Sequence, residues 1–133
     1  MKSKIYFLTT LLSMTACLFS FKVYQAKPWA VPDKYVQMKN PVASDAEILK
    51  DAKALWVKHC QSCHGKTGMG DGTKAAQLDT EMEDFTTDVV QKQPDGALFY
   101  KIQAGRDDMP SFKKKIPDED EIWSLVCFMR SLK

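Results

Sequence analysis

Apolar positions along the chain change spacing several times. From Ile5 to Phe21 there are 17 residues without a charge, preceded by Lys2 and Lys4. Pro28, Pro32 and Pro41 then interrupt residues 27–43, with Trp29, Val31 and Tyr35 between them. Proline at this density predicts an extended arm or linker, either a tether or a strap anchored on the domain by Trp29 and Tyr35. Ser44-Asp45-Ala46-Glu47 reads as a capping box with Ser44 as the cap. Ile48, Ala52, Leu55 and Trp56 follow at helical spacing, predicting a helix to about His59. Residues 73–93 are polar apart from Phe85, Val89 and Val90, and predict loop with at most one short helix.

A second amphipathic helix is predicted after Pro94, with Leu98, Phe99 and Ile102 as its stripe and Gly105 at its end. A third opens at Asp118, with Glu121 completing an acidic capping box, and carries Ile122, Trp123, Val126, Met129 and Leu132. No strand pattern and no internal repeat interrupts this order. The expectation is an all-α domain of about three main helices over residues 44–133. Such a domain has a small core, so a bound apolar group at its centre would be expected to complete it.

The charged tip and apolar run at 1–26 are the pattern of a signal peptide or an N-terminal membrane anchor. Met14-Thr15-Ala16-Cys17 adds a third option, a lipoprotein signal with a lipid on Cys17; Cys17 otherwise reads as a small apolar residue of the signal. Each option exports the domain to the periplasm or the outer face of the cytoplasmic membrane. Without residues 1–26, Lys plus Arg falls from 19 to 16 while all 17 acids stay, a net charge near −1. That balance argues against nucleic acid as a partner.

The chemistry concentrates in Cys60-Gln61-Ser62-Cys63-His64. C-x-x-C-H is the attachment pattern of c-type haem. Two thiols one helical turn apart can add to two vinyl groups on one porphyrin edge, and the following His64 then offers its imidazole to the iron. A thioredoxin-like pair would follow a strand, and none is evident here. A zinc site would need two separated ligand pairs, whereas His59, Cys60, Cys63 and His64 are crowded together. Gly65, Gly68, Gly70 and Gly72 come next, without the strand–helix context of a dinucleotide fingerprint. They predict a tightly turning segment beside the haem edge.

The chain resembles class I (mitochondrial-type) cytochrome c in its small bacterial monohaem form. The resemblance rests on Cys60-Gln61-Ser62-Cys63-His64-Gly65, Gly68-Met69-Gly70-Asp71-Gly72, Gly105, Met109-Pro110-Ser111-Phe112 and a Trp-bearing last helix, and covers about residues 44–133. It implies the cytochrome c fold, with a first helix crossing a last one around one covalent haem c. It also implies His64 and a downstream Met as axial ligands. Met109 is 45 residues beyond His64, in a loop stiffened by Pro110, and is the favoured sixth ligand. Met82 or an open position is the alternative. Met129 reads as core, Met69 is too near His64 in sequence, and His59 sits on the wrong side of Cys60 to cross the ring.

His/Met ligation raises the reduction potential and fills both axial positions. The function expected is single-electron transfer in a respiratory or related redox chain, not catalysis, whether as a free carrier or a subunit of a larger oxidoreductase. The alternative is a haem enzyme subunit or gas-binding sensor with a labile sixth site. Partners would be redox proteins such as a membrane oxidase or reductase. Lys113, Lys114 and Lys115, with Lys101 and Arg106 near in sequence, either steer that encounter or form a solvated charge run. Cys127 reads as a buried thiol acting as a small hydrophobe.

Overall fold

A computed structural model describes residues 28–133. The expected signal or anchor at 1–26 and the lipid site at Cys17 lie outside the described residues. Among those described there are six α-helices and no strand: α1 (Asp33–Val36), α2 (Ala46–His59), α3 (Gln61–His64), α4 (Asp88–Gln91), α5 (Asp95–Ala104) and α6 (Glu119–Arg130). A 3-10 turn spans Ala75–Gln77, and Arg106 and Met109 form an isolated bridge. No described helix is long and apolar enough to cross a membrane.

The three long helices α2, α5 and α6 are those the apolar spacing predicts. Their ends differ in detail. The cap of α2 is Asp45, not Ser44: its carboxylate accepts from the Glu47 and Ile48 amides at 2.9 Å each. Asp and Ser are equally good caps, and the extended backbone at Asp45 (φ −126°, ψ −179°) is what selects it. Asp118 caps α6 through the Asp120 amide at 2.9 Å. Residues 73–93 hold two short helical pieces where one at most was expected.

α2 and α6 pack against each other most extensively. Ala52 and Val126 are both fully buried there, and the lack of bulk at Ala52 lets the helices approach. Trp56, 2% exposed, meets Phe128 of α6 with ring centroids 5.4 Å apart. α5 joins through a parallel stack of Phe99 on Trp123, at 4.1 Å and 13°. Arg130, at the end of α6, fixes the start of α5: its guanidinium donates to Asp95 Oδ1 at 2.7 and 2.9 Å and to the Gln91 carbonyl at 2.8 Å.

The segment after Pro28 is not wholly extended. Pro32, with φ near −60°, opens the single turn α1, which packs on α5. Tyr35 lies 4.7 Å from Tyr100 and 6.5 Å from Phe99 between ring centroids. This close approach requires glycine opposite: a Cβ on Gly96 would come 1.9 Å from the Tyr35 carbonyl oxygen. Further along, Asn40 donates to the Trp123 carbonyl at 3.1 Å and to Cys127 Sγ at 3.2 Å. Cys127 is therefore buried but hydrogen-bonded, tying residues 40–42 to α6.

Candidate functional site

The chain bends at Cys60 (φ −118°, ψ −38°) between α2 and α3. The Cys63 and His64 amides both donate to the Cys60 carbonyl, at 3.1 and 2.9 Å, so the two cysteines stand one turn apart. Both thiols are free and half-buried. Burial, with the neighbouring Cys63 thiol, pushes Cys60 up to about 12, so it stays protonated at neutral pH. Burial likewise pushes His64 down to about 4. Its imidazole is therefore neutral and keeps a lone pair.

Two rings pack against that imidazole. Phe85 stacks on it at 4.8 Å and 25°. Trp56 lies 5.8 Å away and its indole N–H donates to the Gly65 carbonyl at 2.9 Å, pinning the residue after His64. Phe85 and Trp56 also meet edge-on at 5.6 Å. The His64 Nδ1 atom is sealed from solvent with no hydrogen-bond partner among the described residues. Phe85 reaches this place because its amide donates to the Gly68 carbonyl at 2.7 Å.

The glycine-rich segment closes over the carbonyl end of α3. Gly70 donates to the His64 carbonyl at 3.0 Å, Gly72 to Cys63 at 3.2 Å and Lys74 to Ser62 at 2.8 Å, which satisfies the orphan carbonyls of a helix end. Gly72 must lack a side chain, since a Cβ there would meet Cys63 and Ser62 backbone atoms at 2.5 Å.

Met109 sits in the segment joining α5 to α6, half-buried against the same core as Cys60. Arg106 and Met109 exchange two backbone hydrogen bonds, of 2.8 and 2.9 Å, around Asp107 in the left-handed region (φ 52°). Ser111 Oγ donates to the Gln103 carbonyl at 2.6 Å, and the Thr80 amide donates to Asp108 at 2.9 Å. Of the other methionines weighed from the sequence, Met129 is core at 5% exposure and Met69 is 55% exposed. Met82 is half-buried with its backbone against Gly70. His59 points its ring edge-on to Phe112 at 5.9 Å.

The structure thus brings Cys60, Cys63 and His64 together on one turn. It adds two contacts the sequence reading missed: Phe85 on the imidazole and the Trp56 indole on Gly65. An isolated aromatic in a polar stretch was the available signal for Phe85. Among the described residues no three His, Cys, Asp or Glu side chains gather as a site for a bare metal ion. Two free thiols a turn apart, a neutral imidazole packed against two aromatic rings and a glycine segment hydrogen-bonded to that turn fit a covalently held haem.

No curated protein matches the chain. A solved structure, described as the Kuenenia stuttgartiensis reducing HAO-like protein complex Kustc0457/Kustc0458, matches with a TM-score of 0.63 at 25% identity. The match covers 82% of this chain and 52% of that one, so this chain spans about half that chain's length. Residues 47–129 match the family described as cytochrome c oxidase, cbb3-type, subunit III, and contain Cys60, Cys63, His64 and Met109. Over most of its length, therefore, the chain belongs to that family of haem c-bearing cytochromes c.

Proposed function

We propose that the protein is a single-electron carrier of the class I type, with one haem c attached through Cys60 and Cys63 and His64 and Met109 as axial ligands. The observation that carries this reading is the Cys60–His64 turn: two free thiols one helical turn apart and a neutral imidazole packed against Phe85 and Trp56. A haem held by these residues would supply one-electron chemistry between ferrous and ferric iron.

The protein's own part is to keep geometry constant through that cycle. Trp56 fixes the backbone after His64 by a buried hydrogen bond, and its ring together with the Phe85 stack restricts how the imidazole can turn. The Arg106–Met109 turn, tied at both ends, presents one thioether on a short loop. A ligand set that moves little between oxidation states lowers the reorganisation that electron transfer requires. With His64 and Met109 both holding the iron, no position on it would remain for a substrate, which favours a carrier or an electron-carrying subunit over an enzyme.

The partners would be redox proteins, such as a membrane oxidase or reductase, met outside the cytoplasmic membrane. Exposure of Lys113, Lys114 and Lys115 supports steering toward an acidic patch. The neighbouring solved structure is a multi-protein complex by its description, which supports a role within an assembly.

The full chain is to be expressed in a host that attaches haem c, and the exported protein weighed intact. One added haem, with no free thiol at Cys60 or Cys63, is expected, and ferrous protein should bind carbon monoxide only after Met109→Ala. Colourless protein with both thiols reactive would overturn the proposal.

A further inference from the structure

Residues 28–46 precede the stretch that matches the family, yet Trp29 reaches the loop that carries Met109. Its ring takes the Arg106 guanidinium at 4.6 Å and the Lys101 ammonium at 5.3 Å from the centroid. Both cations are also held elsewhere. Lys101 donates to Gln93 Oε1 at 2.8 Å and approaches Glu83 at 3.9 Å, with its side chain 11% exposed. Arg106 pairs with Asp107 at 3.1 Å and makes further contacts. A cation held this way over an indole face is attracted by the ring quadrupole, most strongly when water is partly excluded.

The position of Arg106 gives that contact a consequence. Its backbone N–H and C=O are the two groups that close the turn onto Met109, at 2.8 and 2.9 Å. The turn contains a non-glycine residue at positive φ, Asp107, which opposes closure. The segment bearing Trp29 is anchored further on, by Tyr35 against Gly96 and Tyr100 and by Asn40 on α6. Trp29 thus lies at one end of the described strap, whose base is fixed on α5 and α6.

We propose that Trp29 is a positioning residue for the Met109 thioether: by seating Arg106 it keeps the Arg106–Met109 turn closed. The inference rests on Met109 as the sixth ligand.

The test uses the full-length ferric holoprotein and three variants, Trp29→Ala, Trp29→Leu and Trp29→Phe. The first readout is hydrogen exchange at the Met109 and Arg106 amides, which reports turn closure whatever binds the iron. The second is titration with imidazole, followed by loss of the sulfur-to-iron charge-transfer band. Removing the ring should speed exchange at both amides and tighten imidazole binding roughly fivefold in the Ala and Leu variants, with Phe intermediate. Native helicity by circular dichroism in the Leu variant secures that comparison should the Ala variant fold poorly. Exchange within twofold of the parent protein in both the Ala and Leu variants would overturn the proposal. So would wild-type behaviour restored by Leu, because the ring would then supply bulk alone. Faster exchange with unchanged imidazole affinity would overturn the positioning role. A parent protein without the charge-transfer band would instead remove Met109 as ligand, a separate failure visible before any variant is made.

Discussion

Trp56→Phe is the sharpest test of how the fold supports the His64 turn. The phenyl ring keeps an aromatic contact with Phe85 and Phe128 but has no N–H for the Gly65 carbonyl, 2.9 Å away in a buried position. Leaving a buried acceptor unpaired costs about 1–3 kcal/mol. The smaller ring gives up on the order of 1 kcal/mol of apolar burial. Together these predict a loss of roughly 2–4 kcal/mol. At about 4–8 °C per kcal/mol for a domain near 100 residues, Tm should fall by about 8–32 °C. The assay is thermal unfolding of the holoprotein by circular dichroism, with hydrogen exchange over residues 61–65 as the local readout. Phe128→Leu is the control, because it loosens the same core at 5.4 Å from Trp56 without touching the carbonyl. It should lower Tm while leaving exchange at 61–65 close to the parent's once the stability difference is subtracted. A Trp56→Phe protein melting within about 3 °C of the parent, with unchanged exchange, would refute the account.

Gly105→Ala should lose about 2–4 kcal/mol by urea unfolding, because its backbone is left-handed (φ +67°) and a Cβ would meet Ser111 N, Pro110 C and Met109 O at 2.4–2.6 Å. The same variant should lose the signature of Met109 ligation, since the loop must move to admit the methyl. Arg130→Met should cost about 2 kcal/mol by the same measurement, having stranded Asp95 and the Gln91 carbonyl. For Cys127, burial outweighs the Asn40 hydrogen bond and raises its pKa above the ordinary 9.0. The folded state therefore favours the neutral thiol. This contribution is complete below pH 9 and declines as pH climbs beyond it. Cys127→Ala should flatten the alkaline fall of the urea midpoint, and an unchanged slope would show that the thiol does not titrate with unfolding.

The amino-acid order alone determined the three long helices, because each carries an uninterrupted apolar stripe between strong stop signals. Gly105 as terminator and Trp123 as core followed from the same local rules. The C-x-x-C-H string was the local signal for the proposed haem chemistry, since the spacing of its thiols and imidazole is set within one helical turn. Local rules could not choose between Ser44 and Asp45 as cap, because both side chains suit the place and only the backbone dihedrals of the entering chain distinguish them. Tertiary structure alone decided that the proline-rich segment is strapped to α5, through a contact between Tyr35 and Gly96 that are 61 positions apart. It alone placed Phe85 on the imidazole of His64 and turned the Trp56 indole toward Gly65. Those arrangements depend on which faces meet when α2, α5 and α6 cross, and periodicity in one segment carries no information about the partner it will find.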